Sequence, residues 1–166
     1  YLFYSLKKCY FSEKLNERLR WRTMLEKMKN FVRKKNICVL ATVSDHKPYC
    51  SLMAYITDAT CEEIYMVTHK NTTKFNNLQN NPSVSLLIDS RETQPRSSAE
   101  ALTIDGVVIP LLDKNKKQKM RDRMLESFPH MKAFIRHRES ELIRIKINSF
   151  LLLEGLTESH FISLPS

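Results

Sequence analysis

The stretch IYMVTHKNTTKFNNLQNNPSVSLLI, from Ile64 to Ile88, decides the fold. Its first five residues are apolar and rich in β-formers, and they predict a strand over 64–68. Residues 72–79 follow the period of a short helix with its apolar side chains on one side. The helix ends at Asn80-Asn81-Pro82, and residues 84–88 predict the next strand. The stretch therefore predicts a strand, a short helix and a second strand with polar connections.

The link between this strand and helix is rich in groups that bind anions. It is Thr68-His69-Lys70-Asn71-Thr72-Thr73-Lys74. A helix N-terminus presents unpaired backbone N–H groups and the positive end of the helix dipole. With two threonine hydroxyls and a lysine ammonium beside it, the link predicts a phosphate cradle. The alternative is structural: Asn71 or Thr72 caps the helix, and Lys74 is solvated.

Glycine is scarce, which limits how a phosphate can be held. The chain has 166 residues but only two glycines, Gly106 and Gly155. A Rossmann fingerprint and a P-loop each need glycines a few residues apart, so both are excluded. The formal charge of +9 favours an anionic partner. The basic residues cluster in the N-terminal third, at 33–35 and at 114–123, where solvated helix faces are the simplest interpretation.

The cysteines and the hydropathy indicate a cytoplasmic protein without a metal site. The four cysteines form no CxxC pair and have no zinc-ligand spacing. No signal peptide or apolar run long enough for a membrane is present in the sequence. We therefore expect reduced thiols, no metal, no membrane partner and a cytoplasmic location.

Outward from residues 64–88, the pattern predicts more strands and a few helices. Further strands are predicted over 37–43, 48–57, 99–109, 142–147 and 151–156. A helical period begins at Ser12, which we expect to be its cap, and ends near Lys35. Another helix is expected over 113–128 and a shorter one to about His137. Many short strands with few helices predict a mostly β fold, an antiparallel β-barrel with flanking helices.

Several motifs resemble one known family in their order and spacing. They are Leu40-Ala41-Thr42-Val43, Lys47-Pro48-Tyr49, Ile64 to Thr68, Thr72-Thr73-Lys74 with Asn77-Leu78, Asn80 to Leu86 and, more weakly, Leu102 to Gly106. Together they resemble the pyridoxamine 5'-phosphate oxidase-like, FMN-binding split-barrel superfamily. The resemblance implies a dimeric split β-barrel with FMN bound between subunits. FAD, a deazaflavin or haem are the less favoured cofactors within this fold.

The resemblance also implies which residues form the flavin site. The strand that lies along the flavin corresponds to Ser51, Leu52, Met53 and Ala54. The groups next to the ring or ribityl chain correspond to Val67 and Thr68, and those that bind the phosphate to Thr72, Thr73 and Lys74. His69 follows the same strand and contacts the flavin or a substrate, or is a surface-loop histidine. The sequence identifies no catalytic residue.

The domain division and the function follow from the same resemblance. Residues 1–23 are expected to be a basic, helical N-terminal extension, and 24–166 the FMN-binding split-barrel domain. Pyridoxamine phosphate oxidases carry arginine at Ser51, lysine at Ile56 and arginine at Thr73, so vitamin B6 oxidase activity is not expected. We expect an FMN-binding protein related to this family. A flavin-dependent oxidoreductase with a small-molecule substrate or nicotinamide donor is the enzyme class that the resemblance implies.

Two other function classes stay open from the sequence. The first is a flavin or haem carrier or sensor that performs no turnover. The second is a basic nucleic-acid-associated protein, although neither interleaved aromatic residues nor a known reader module supports it.

Overall fold

The structure is a computed structural model that describes the backbone of residues 2–90, 99–155 and 157–165, with side chains from residue 16 onward. The helices are α1 (Leu2–Lys34), α2 (Thr73–Asn80), α3 (Lys114–Ser127) and α4 (Lys132–Arg136), the last preceded by a 3-10 turn at Pro129–Met131. The strands are β1 (Ile37–Ser44), β2 (Lys47–Thr57), β3 (Glu63–His69), β4 (Ser83–Asp89), β5 (Glu100–Ile109), β6 (Ser140–Glu154) and β7 (Glu158–Ser163).

Six strands close into an antiparallel barrel. The strand order is β3-β2-β1-β4-β5-β6-β7, and an additional pairing of β3 with β6 closes the ring. The first half of β6 pairs with β3 from Ser140 to Lys146, and its second half pairs with β7 from Ser149 to Glu154. The mostly β barrel with flanking helices that the sequence predicts is therefore confirmed.

Two hydrophobic clusters hold the helices on the barrel. The larger one fills the barrel and includes Leu40, Met66 and Phe150, each 0% exposed. The smaller cluster lies outside the barrel, where α3 and α4 cover β2, β3 and the start of β6. Met124 from α3 and Ile135 from α4 are completely buried there. The helices thus cover only one part of the outer surface.

The rest of the outer surface that the structure describes carries an apolar row of six side chains, five of them apolar, which are exposed or half-buried. Register places one residue from each of six neighbouring strands side by side: Leu52, Val39, Leu87, Thr103, Leu151 and Phe161. Leu52 is 74% exposed and Phe161 is 65% exposed. On β2, Ile56 is buried, whereas Leu52 is exposed in the single chain.

The C-terminal strands differ from the prediction. The sequence predicted two strands, over 142–147 and 151–156, but they form the single strand β6. Asn148 is the extra residue of a bulge where Asp105 pairs with Ser149 and Gly106 with Ile147. The strand β7 was not predicted, because its sequence is mostly polar.

Helix α1 is longer than the barrel surface on which it packs. The side chains that it buries among the described residues are Met28, Lys29, Phe31 and Val32, near its C-terminal end. The Tyr55 hydroxyl donates a hydrogen bond of 2.8 Å to the Val32 carbonyl and fixes this end. The helix begins at Leu2, so Ser12 lies inside it and is not its cap. The division at residues 23 and 24 stays a prediction.

No described helix combines the length and the apolar composition that a membrane-spanning helix needs.

Candidate functional site

The candidate site lies where β2 and β3 stop pairing. Their ladder consists of three pairs, from Thr57 with Ile64 to Tyr55 with Met66. Beyond Tyr55, β2 continues through residues 51–54 while pairing with β1 on its other side. Beyond Met66, β3 continues to His69 while pairing with β6. Each strand therefore has an unpaired backbone edge in this split, with donors and acceptors available to a ligand.

The predicted strand residues sit on both sides of this split. Met53 is 7% exposed in the barrel core, while Leu52 points outward into solvent. Ser51 is half-buried, and Ala54 packs on the outer cluster. Across the split, Val67 lies in the outer cluster. Of the sequence-predicted strand residues, Ala54 and Val67 thus share the outer face, whereas Met53 points into the barrel.

Helix α2 starts at the end of the split, and Thr72 caps it. The Thr72 hydroxyl accepts the Phe75 N–H at 3.4 Å and donates to the His69 carbonyl at 2.8 Å. It also contacts the Thr68 hydroxyl at 3.2 Å. Thr68 itself is 1% exposed. The capping interpretation that the sequence offered for Thr72 is therefore confirmed.

The first turn of α2 leaves free donors beside the cap. Within the described ranges, neither the N–H of Thr73 nor that of Lys74 has an acceptor, as usual at a helix start. The Thr73 side chain is exposed and that of Lys74 is half-buried. This turn contains no acidic residue. The helix dipole and the Lys74 ammonium thus create a positive site with no carboxylate on the helix to neutralise it.

The other end of α2 is docked on the barrel. The Asn77 amide donates a hydrogen bond of 3.1 Å to the Thr42 hydroxyl of β1, and both residues are buried. Leu78 inserts into the barrel core. These contacts fix the direction of α2 and hence the direction of its N-terminal N–H groups. The sequence analysis did not identify this polar pair, because its residues are 35 positions apart.

The His69 ring faces helix α4 and is packed between other rings. It stacks on Phe134 at 4.2 Å and on His137 at 4.9 Å between ring centroids. Its Nε2 is buried and has no hydrogen-bond partner in the described structure. The surface-loop alternative for His69 is therefore wrong. The contact with α4 was not detectable from sequence, since it joins segments about 65 residues apart.

The two tyrosines near the site, Tyr55 and Tyr65, are buried packing residues. Burial raises the pKa of Tyr55. Tyr65 is completely buried, and its hydroxyl donates to Glu63. Glu63 also binds Arg144 and Lys116. This cluster is a structural ion-pair network on the helix-covered side of β3.

Cys50 differs from the other described cysteines in its exposure. Its side chain is exposed, next to Leu52 on the outer surface. Cys38 and Cys61 are free and buried. Clusters of three or more metal-ligating side chains are absent from the part of the chain described here.

Two cavities lie away from the split. One, of about 780 Å³, is lined by α1, Glu100 and Leu152. The other, of about 890 Å³, lies between Asn16–Lys27 of α1 and Ser159–Ile162 of β7.

A comparison with family models gave one match over most of the chain. Residues 24–153 match the family described as pyridoxamine 5'-phosphate oxidase. A search of the curated proteins gave no sequence match.

Several solved structures share the fold. A FAD-binding protein of Mesorhizobium loti superposes with a TM-score of 0.66 and 17% identity, over 78% of this chain and 94% of the other. A haem-binding protein of Mycobacterium smegmatis gives a TM-score of 0.70 and 17% identity, over 82% of this chain but 57% of the other. HutZ, the haem storage protein of Vibrio cholerae, gives 0.58 and 17%, over 81% and 92%. At these identities the likeness shows the fold alone.

Proposed function

This chain belongs to the pyridoxamine 5'-phosphate oxidase family, and on that premise we propose that it binds FMN in the split between β2 and β3, as a homodimer. The observation that carries the proposal is the meeting of two features at one place. The first feature is the two strand edges of β2 and β3 that have no β partner in the split. The second is the N-terminus of α2, whose first turn has free N–H donors, a lysine and no acidic residue. The ring and the phosphate of one flavin need these two environments.

The phosphate fits the start of α2. The Thr73 hydroxyl, the N–H groups of Thr73 and Lys74, and the Lys74 ammonium are all donors, and a phosphate is an acceptor. Lys70 is a weaker candidate, because its ammonium lies 3.7 Å from the Glu141 carboxylate. Residues 68–74 contain no glycine, and a helix N-terminus can bind a phosphate through its backbone N–H groups without one.

The flavin ring fits the split. Its carbonyl and N–H groups match the free backbone groups of residues 51–54 on β2 and 67–69 on β3. Ala54 and Val67 supply apolar surface on the outer side. Once bound, FMN supplies electron transfer, while the residues of the chain orient the ring and exclude water.

The homodimer is supported by the uncovered apolar row. Six strands at about 4.8 Å spacing make this row about 24 Å wide. An uncovered apolar surface of this kind marks an interaction site. Leu52 belongs both to the row and to the predicted flavin strand. A second copy on the row would therefore cover the open side of the split and bury the other face of the flavin.

The experiment compares FMN with riboflavin, which lacks the phosphate. Titrations followed by flavin fluorescence are made with the parent protein, with Lys74→Met and with Lys70→Met as the matched control. We expect the parent to prefer FMN, Lys74→Met to lose about tenfold or more in FMN affinity, and riboflavin binding to stay unchanged. Lys70→Met should keep most of the FMN affinity.

Two results would contradict the proposal. The first is equal affinity of the parent for FMN and riboflavin. The second is full retention of FMN affinity by Lys74→Met. Turnover is tested separately by adding NADH or NADPH without oxygen to the FMN-loaded protein. Bleaching of the flavin supports an oxidoreductase, and the absence of bleaching with either donor supports a carrier or sensor.

A further inference from the structure

We propose that Thr72 positions the phosphate-binding groups without binding the phosphate itself, and that Thr73 and Lys74 make the contacts. This inference rests on the proposed function, because it assumes that the start of α2 holds the flavin phosphate. It separates two adjacent threonines that the sequence treats as equivalent.

The hydrogen bonds of Thr72 are already complete. A threonine hydroxyl has one proton to donate and two lone pairs that accept. The proton goes to the His69 carbonyl at 2.8 Å, and the Phe75 N–H approaches one lone pair at 3.4 Å. Because the Thr72 proton is engaged, Thr68 is the donor in the 3.2 Å contact between the two hydroxyls. Thr72 could donate to a phosphate only by releasing the His69 carbonyl.

These bonds connect the end of β3 to the start of α2. The His69 carbonyl accepts both the Thr72 hydroxyl and, at 3.3 Å, the Thr72 N–H. On its other edge, β3 is fixed by pairing with β6 through Thr68 and His69. The Thr72 hydroxyl thus sets where the first free N–H groups of α2 lie relative to the strand edge. Its role is to place Thr73 and Lys74.

The positioning role of Thr72 can be separated from a contribution of Thr72 to the stability of the fold. Asn77 and Leu78 dock the second half of α2 on the barrel independently of Thr72. Loss of the Thr72 hydroxyl therefore disturbs the first turn and leaves the docking in place. The effect should appear in phosphate recognition more than in the binding of the flavin ring.

The test measures the ratio of FMN affinity to riboflavin affinity in three variants. Thr73→Val removes a free donor, and we expect the ratio to fall about tenfold or more. Thr72→Val removes the cap, and we expect the ratio to fall about fivefold, which is the free energy of a lost N-cap expressed as a change in affinity. Thr72→Asn keeps an acceptor for the α2 N–H groups, so we expect a ratio within about threefold of the parent. The ³¹P resonance of bound FMN should shift with Thr73→Val and stay in place with Thr72→Asn.

The outcomes are distinct. An unchanged ratio in Thr72→Val would show that Thr72 has no positioning role. A fall in Thr72→Asn as large as that in Thr73→Val would make Thr72 a direct ligand. If Thr72→Val does not fold, the comparison of Thr72→Asn with Thr73→Val still shows whether Thr72 positions the site or binds the phosphate directly. A parent protein with no preference for FMN over riboflavin would overturn the proposed phosphate site itself, and this inference with it.

Discussion

Tyr55 of β2 and Met66 of β3 form the cross-strand pair at which the two strands stop pairing. Tyr55 is held on the barrel side by burial and by its hydrogen bond to the Val32 carbonyl. Met66 is buried in the barrel core. The pair is thus a fixed closing point, and the strand edges beyond it stay open. The proposed flavin site depends on this geometry.

The apolar row gives an expectation for the oligomeric state. Replacing Leu52 with Asp places a charge in the row, and we expect the dimer to dissociate and the FMN affinity to fall. The control is Leu112→Asp, because Leu112 is 87% exposed but lies outside the row. Sedimentation equilibrium measures both variants. A parent that is a monomer, or a dimer unaffected by Leu52→Asp, would contradict the assignment of this surface.

The Glu63 network gives an expectation for pH. Burial alone would raise the pKa of Glu63, but hydrogen bonds from Arg144, Tyr65 and Lys116 outweigh it and lower the pKa from 4.5 to about 2. Because the folded pKa is the lower one, the stabilisation is complete above the ordinary pKa of 4.5. It is lost as the pH falls through that range towards 2.

Glu63→Gln should therefore lower the free energy of unfolding by about 2–3 kcal/mol at pH 7. The difference from the parent should shrink as the pH falls below about 4. Urea unfolding at several pH values measures both effects. The exposed Glu126 is the control, and Glu126→Gln should change stability by less than about 0.5 kcal/mol. A constant difference between Glu63→Gln and the parent at all pH values would refute the role of this carboxylate.

Gly106 is an expected point of sensitivity at the β5–β6 bulge. A Cβ at this position would lie 2.7 Å from the Ile145 Cγ2 and 2.7 Å from the Lys146 carbonyl oxygen. Because one neighbour is backbone, the strands would have to shift. We expect Gly106→Ala to destabilise the fold by about 1–3 kcal/mol. Thermal unfolding measures the change, and an unaltered melting temperature would show that the bulge adapts freely.

The cysteines should differ strongly in reactivity. Burial raises the pKa of Cys38 to about 12 and that of Cys61 to about 11, whereas Cys50 is exposed. In a Cys9→Ser protein, we expect one thiol to react with Ellman's reagent before unfolding and two more only afterwards. Cys50→Ser in the same background should abolish the fast reaction. A fast reaction that persists would place the exposed thiol elsewhere.

The sequence predicted the barrel well because most of its strands carry a clear apolar pattern. The predictions for β1 to β5 differ from the structure only near their ends. The predictions failed where the pattern is polar, at Asn148 within β6 and throughout β7. The start of α1 was placed at Ser12, a plausible cap, although the helix extends to Leu2.

The candidate site was predictable only in part, for a physical reason. Residues 72–74 stand together in sequence, so their position at a helix start follows from local pattern. The contacts that fix the site join distant segments: Asn77 with Thr42, and His69 with Phe134 and His137. The sequence offered Thr72 as a cap, but its hydrogen bonds to His69 and Thr68 required coordinates.

The absorbance spectrum of the protein after incubation with FMN and removal of free ligand tests the central claim most directly. The account predicts that the two visible bands of oxidised flavin elute with the protein, and that Lys74→Met strongly reduces them. A protein fraction without flavin bands would contradict the account. A Soret band in the purified protein that persists in the presence of FMN would equally contradict the account, because it would identify haem as the ligand of this chain.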